Sequence, residues 1–160
     1  MPSATVSLIY CVRQATGTDT AVNEALAQLP DMLLPEQLTG ISALAAVRAL
    51  PGVIGAIDTA RSDPDDLFIT TDTSGGRQNA LWPAPGQNIR IQAGQSVTPD
   101  IALEFEHSRN LSLWDYDGLS DDDLLGSITL FANESGRGEI VKLAKSDVEN
   151  AYYYVAYRVD

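Results

Sequence analysis

Reactive side chains are scarce in this chain. One cysteine and one histidine are all it has. A zinc site would want more of both, and an internal disulfide cannot form. Cys11 lies in the apolar run ATVSLIYCV and reads as a small buried hydrophobe. His107 stands in a polar turn with no motif to set a serine or Cys11 against it, so no activated nucleophile is legible. Neither G-x-S-x-G nor a phosphate-cradling glycine loop occurs. Basic residues are few as well: 10 Lys and Arg stand against 22 Asp and Glu, a net charge of −12. Such a surface repels nucleic acid, which is excluded as a partner, and repels anionic membranes unless a bound metal neutralises part of it. No apolar run is long enough to span a bilayer, and MPSATVSLIY has no positive region ahead of its short apolar patch. With no classical signal peptide or transmembrane segment read, the expected location is cytoplasmic, or outside the cell by a route that needs no N-terminal signal.

What is present is a pattern of short alternating runs. At 160 residues and 44% hydrophobic content, one domain over residues 1–160 with an ordinary core is expected. Ala4–Val12, Leu67–Thr71, Gln87–Gln92, Ile101–Glu106, Leu111–Trp114, Ile128–Leu130, Glu139–Lys142 and Ala151–Val159 carry β-branched, aromatic or alternating residues, with turn signals between them. Ala80–Pro83 reads as a short edge strand. About eight strands at regular spacing predict an all-β fold, an antiparallel β-sandwich.

Residues 20–60 break the pattern. Ala21, Val22, Ala25, Leu26 and Leu29 recur at helical spacing, Pro30 ends that stretch, and Ile41–Leu50 is rich in helix formers before Pro51-Gly52. A helical insert is predicted here after the first strand. It would pack over an open end or face of the sandwich, or present Leu33, Leu34, Leu38, Leu44, Val47 and Leu50 to a membrane or partner. Arg48 is its only basic residue, which counts against the membrane version.

The informative stretch is LSLWDYDGLSDDDLLGSITL, residues 111–130. Two period-2 strands flank a loop in which Asp115, Asp117, Asp121, Asp122 and Asp123 fall within nine residues, with no Lys or Arg among them. Like charges so crowded repel one another unless a cation sits among them. Calcium, which takes six to eight oxygen ligands, suits such a carboxylate loop. The EF-hand pattern fails. Counted from Asp115, the sixth position is Ser120 instead of Gly, the twelfth is Gly126 instead of Glu, and the flanks are strands. A second acidic group, Asp63, Asp65 and Asp66, precedes the Leu67–Thr71 strand, and two loops distant in sequence can meet at one end of a sandwich.

Trp114-Asp115-Tyr116-Asp117, five residues, then Asp123-Leu124-Leu125-Gly126 and a β-run resembles the third calcium-binding loop of the C-two family, the calcium- and phospholipid-binding β-sandwich. The resemblance is close over residues 111–130. It extends loosely to residues 63–71, where Asp63-Pro64-Asp65-Asp66-Leu67-Phe68-Ile69 resembles the family's first-loop segment leading into a strand. It implies Asp115, Asp117 and Asp123 as calcium ligands, with Asp65 or Asp66 donated from the first loop. The chain departs from the family in lacking a polybasic strand and in the helical insert, where the family has a short loop.

A binding module is favoured over an enzyme, because acids crowded in one turn sit too close to act as a defined acid and base pair. The leading reading is a calcium-binding C-two-like module, the metal serving anionic-lipid or protein binding. The alternatives are a calcium-dependent carbohydrate-binding or adhesion module, with Trp82, Trp114 and the C-terminal tyrosines as stacking surfaces, and an assembly subunit that contacts partners through the helical insert.

Overall fold

The structure, a computed structural model, describes residues 1–15, 64–118, 121–146, 148–149 and 151–160. The helical insert expected over residues 20–60 lies outside them. Two antiparallel sheets face each other, as the alternation predicts. One holds β1 (Ser3–Arg13), β4 (Ser96–Val97), β5 (Ile101–Glu104), β8 (Glu139–Ser146) and β9 (Ala151–Val159). The other runs β3 (Ile89–Ile91), β2 (Asp65–Thr70), β6 (Ser108–Asp115), β7 (Asp123–Phe131). The chain's first and last strands lie side by side. Ala4 pairs with Val159 and Ile9 with Val155, with register shifts between Val6 and Leu8 and between Cys11 and Arg13.

Local details differ from the sequence expectation. Arg77–Asn79 forms a 3-10 turn, and Ala80–Pro83 supplies a single bridge, Trp82 to Ile69, instead of a strand. Pro83 has no N–H to extend that pairing. Ser96–Val97 pairs with Tyr10 and Ile9 as a strand the sequence did not signal, and β8 runs on to Ser146 because β9 offers it a partner along its whole length.

The inward positions of both sheets form the core: Ile9, Cys11, Leu67, Ile69, Leu111, Leu113, Leu125, Tyr153, Val155 and Tyr157 are all fully buried. Alternation alone would leave the opposite faces wet, yet several strands are buried on both. Behind β2 and β6, Phe68 and Trp114 stack at 6.3 Å between ring centroids, and Ala80 of the adjoining loop packs on them. The Trp114 indole N–H donates to Thr70 Oγ1 at 2.9 Å, which satisfies its polar atom in the interior. On the other sheet Tyr10, Val12, Tyr152, Tyr154 and Ala156 are buried although they alternate with the core positions.

Where β7 approaches β8 the sheets nearly touch. A side chain at Gly126 would place its Cβ 2.6 Å from the Ala144 carbonyl carbon and closer still to the Lys145 nitrogen, so only glycine permits this approach. At the end of the sandwich holding the β7–β8 connection, Glu134 accepts hydrogen bonds from the Phe131 amide at 2.9 Å and the Tyr157 hydroxyl at 2.6 Å. Lys142 pairs with it at 2.7 Å and donates to the Thr129 carbonyl at 2.6 Å. Burial alone would raise the Glu134 carboxyl, but Lys142, Tyr157 and the Phe131 amide together bring it below its ordinary range.

Candidate metal-binding end

Strand direction gathers the acidic residues at the opposite end. β1 finishes there and β2 begins there, the β6–β7 loop turns there, and so does the short connection from β8 to β9. Asp115 and Asp123 are the last register pair of β6 and β7 before the loop. Asp66 joins them across the β2–β6 pairing: its amide donates to Asp115 Oδ1 at 2.6 Å, and its carbonyl accepts from the Tyr116 amide at 2.9 Å. Within the loop the Asp117 amide donates to Asp122 Oδ1 at 3.1 Å, which ties the two ends of the acidic loop together. Two acidic segments 49 positions apart in sequence are thereby brought together.

The electrostatics follow from the crowding. Asp115 is pushed up to about 6, mainly by burial, with the charges of Asp66, Asp123 and Asp117 adding to the rise and the Asp66 amide opposing it. Asp123 is raised by burial and then by Asp117 and Asp122. Glu149, on the β8–β9 connection, is raised by burial and by Asp123, which adds a further carboxylate to this end. Arg90 lies 3.7 Å from Asp66, but its side chain is 80% exposed and solvent screens the pair.

Asp65 and Asp66 part company. Neighbours on a strand point to opposite faces, and Asp65 is the one turned inward, 1% exposed. Both its oxygens accept from the Ala15 amide at 3.0 Å, and Oδ2 also accepts from the Tyr153 hydroxyl. Burial raises Asp65 to about 7, with the Tyr153 and Ala15 hydrogen bonds opposing and the charges of Asp115 and Asp66 adding. Of the residues named from sequence, then, Asp66, Asp115, Asp117 and Asp123 lie around the loop, and Asp65 is withdrawn into the core beneath it. Asp63 is outside the described residues. Tyr153, Ala15 and Glu149 are participants that sequence reasoning missed. Tyr153 was legible as a core-facing strand residue, but nothing in its local pattern said which strand would lie opposite.

Calcium favours carboxylate oxygens, and this end supplies carboxylates held high by burial and mutual repulsion, the state a divalent cation relieves. Among the described residues no group of three or more His, Cys, Asp or Glu side chains is gathered closely enough to hold a metal ion as it stands. The donor type fits the ion, and binding would have to draw the carboxylates in.

Beside the loop is an open cleft of about 650 Å³ between Ser74-Gly75-Gly76 and Tyr116, Asp117, Asp121 and Asp122. The Arg77 guanidinium stacks 3.6 Å from the centre of the Tyr116 ring and donates to Asn88 Oδ1 at 2.9 Å. The aromatic residues considered for sugar stacking are largely interior: Trp114 is 6% exposed, Tyr153 and Tyr157 are fully buried, and Trp82 packs against the core.

The fold and this end define an all-β sandwich with acidic loops converging at one end. Among solved structures, the chain is similar to human GIVD cytosolic phospholipase A2 in complex with methyl gamma-linolenyl fluorophosphonate, at 13% identity and a TM-score of 0.36. It is also similar to that enzyme with the same inhibitor and terbium chloride, at 13% identity and a TM-score of 0.34. The alignments cover 99% of this chain but 16% and 17% of those chains. No family model and no curated protein matches the sequence.

Proposed function

We propose that this protein is a calcium-binding C-two-like module, without enzymatic activity, whose metal is held by Asp66, Asp115, Asp117 and Asp123 at one end of the sandwich. The observation that carries the reading is the pairing of Asp115 with Asp123, with Asp66 tied to Asp115 and the Arg90 side chain beside Asp66 largely exposed to solvent. Carboxylates so placed repel one another when ionised, and a divalent cation turns that repulsion into binding energy. Calcium is favoured over magnesium because the acids lie on several segments, and calcium tolerates irregular, many-oxygen coordination where magnesium demands a tight octahedron. Neutralising this end would also remove the main barrier that a net charge of −12 sets against an anionic lipid surface. Anionic lipid is therefore the partner class to test once metal binding is established.

The test is thermal unfolding in chelator and across a calcium series, with magnesium as the control and an Asp115→Asn/Asp117→Asn double variant beside the wild type. Selective binding to the folded state raises the midpoint as ligand exceeds its dissociation constant. The expected result is a calcium-specific rise that the double variant lacks. No rise at millimolar calcium would sink the proposal.

A further inference from the structure

Asp65 has the residue type of a ligand and the surroundings of a structural anchor. It is 1% exposed, and three of the roughly four acceptor positions of a carboxylate are engaged, two by the Ala15 amide and one by the Tyr153 hydroxyl. An ion reaching it would have to displace Tyr153, itself fully buried. The next residue on the strand does the opposite work. Asp66 faces outward, its amide fixes Asp115 Oδ1, and its carbonyl takes the Tyr116 amide. One buried contact to β9 thus sets where β2 begins, and where β2 begins sets the orientation of Asp115 and the first residue of the acidic loop.

We infer that Asp65, gripped by Tyr153 and Ala15, is a positioning residue that orients the Asp66 and Asp115 ligands from beneath; the inference rests on the calcium-binding reading above. Partners that orient a ligand from behind commonly matter about 10- to 100-fold in metal affinity. The Tyr153 hydroxyl is the handle for testing this, because its removal leaves every proposed ligand in the chain.

The experiment compares the full chain, Tyr153→Phe and Tyr157→Phe. Both variants lose a buried phenol-to-carboxylate hydrogen bond on β9, to Asp65 in one and to Glu134 in the other. Tyr157 lies four residues further along the strand, about 13 Å away, so it controls for general loss of stability. Calcium titration calorimetry should show affinity about tenfold or more weaker in Tyr153→Phe, with Tyr157→Phe within about twofold of wild type. In chelator, the Asp66 and Tyr116 amides should exchange with solvent faster in Tyr153→Phe than in Tyr157→Phe. Equal calcium affinities in the two variants, or equal exchange of those amides, would overturn the positioning role while leaving wild-type binding intact. Absence of calcium binding by the wild type would instead remove the metal reading, and this inference with it.

Discussion

Asp115 and Asp123 face each other as the last residue pair of β6 and β7, two carboxylates at the mouth of one hairpin. Like charges directly opposite on adjacent strands destabilise a sheet. The pair therefore costs the metal-free protein stability, and that cost can be measured.

The first prediction is a pH dependence with a definite sign. Asp65 and Asp115 have folded-state values of about 7 and about 6, above the 3.8 of an ordinary aspartate. Between pH 4 and 7 the folded chain holds more protons than the unfolded one, so stability falls as pH rises through that window. In chelator the melting temperature should decline from pH 5 to pH 8. With calcium the decline should flatten or reverse, because metal competes with protons for Asp115. A melting temperature in chelator that climbs over the same range would contradict the raised values.

Asp115→Asn, with an uncharged oxygen still able to accept the Asp66 amide, removes a repelling charge. In chelator at pH 7.5 it should be more stable than wild type by about 1 kcal/mol, and it should lose most of its calcium response. Urea denaturation with and without calcium measures both effects.

Glu134→Ala should destabilise the fold by about 3 kcal/mol, because it strands Lys142 and the Tyr157 hydroxyl. Its lowered carboxyl contributes stability above the ordinary glutamate value that is lost as acid protonates it. Since Glu134 sits at the far end of the sandwich, the calcium-induced shift in midpoint should equal that of wild type.

Gly126→Ala forces a methyl group into the β8 backbone and should cost about 3 kcal/mol or more. Gly136→Ala meets nothing within 4 Å but keeps a φ of +78°, so its cost should be near 1 kcal/mol. Chemical denaturation of the two variants should rank them in that order.

Tyr154 is 2% exposed and its hydroxyl has no hydrogen-bond partner among the described residues. Tyr154→Phe should therefore be neutral or stabilising by up to about 1 kcal/mol, where Tyr153→Phe and Tyr157→Phe are destabilising. Urea midpoints of the three variants decide it.

The sequence by itself determined most of the strands and the acidic loop. Alternation of period 2 records which residues a pleated chain turns to one side, so β6, β7 and β9 are legible from Leu111, Leu113, Ile128, Leu130, Tyr153 and Val155 without knowledge of their partners. The clustering of Asp115 to Asp123 is likewise a local property, and so is the charge repulsion it entails. What only the tertiary structure decided is pairing across long separations and the environment it creates. No local pattern places Val159 beside Ala4, or sends Tyr153 to Asp65 across 88 positions. Adjacent acids on a strand look alike in sequence, yet alternation sends Asp66 toward the loop, and the strand facing Asp65 converts it from a candidate ligand into a buried anchor. Trp114 reads as an outward residue of a half-buried strand until Phe68, Ala80 and Thr70 close over it. Periodicity encodes direction relative to the chain, whereas burial, hydrogen-bond partners and carboxyl ionisation depend on what another part of the chain brings to that face.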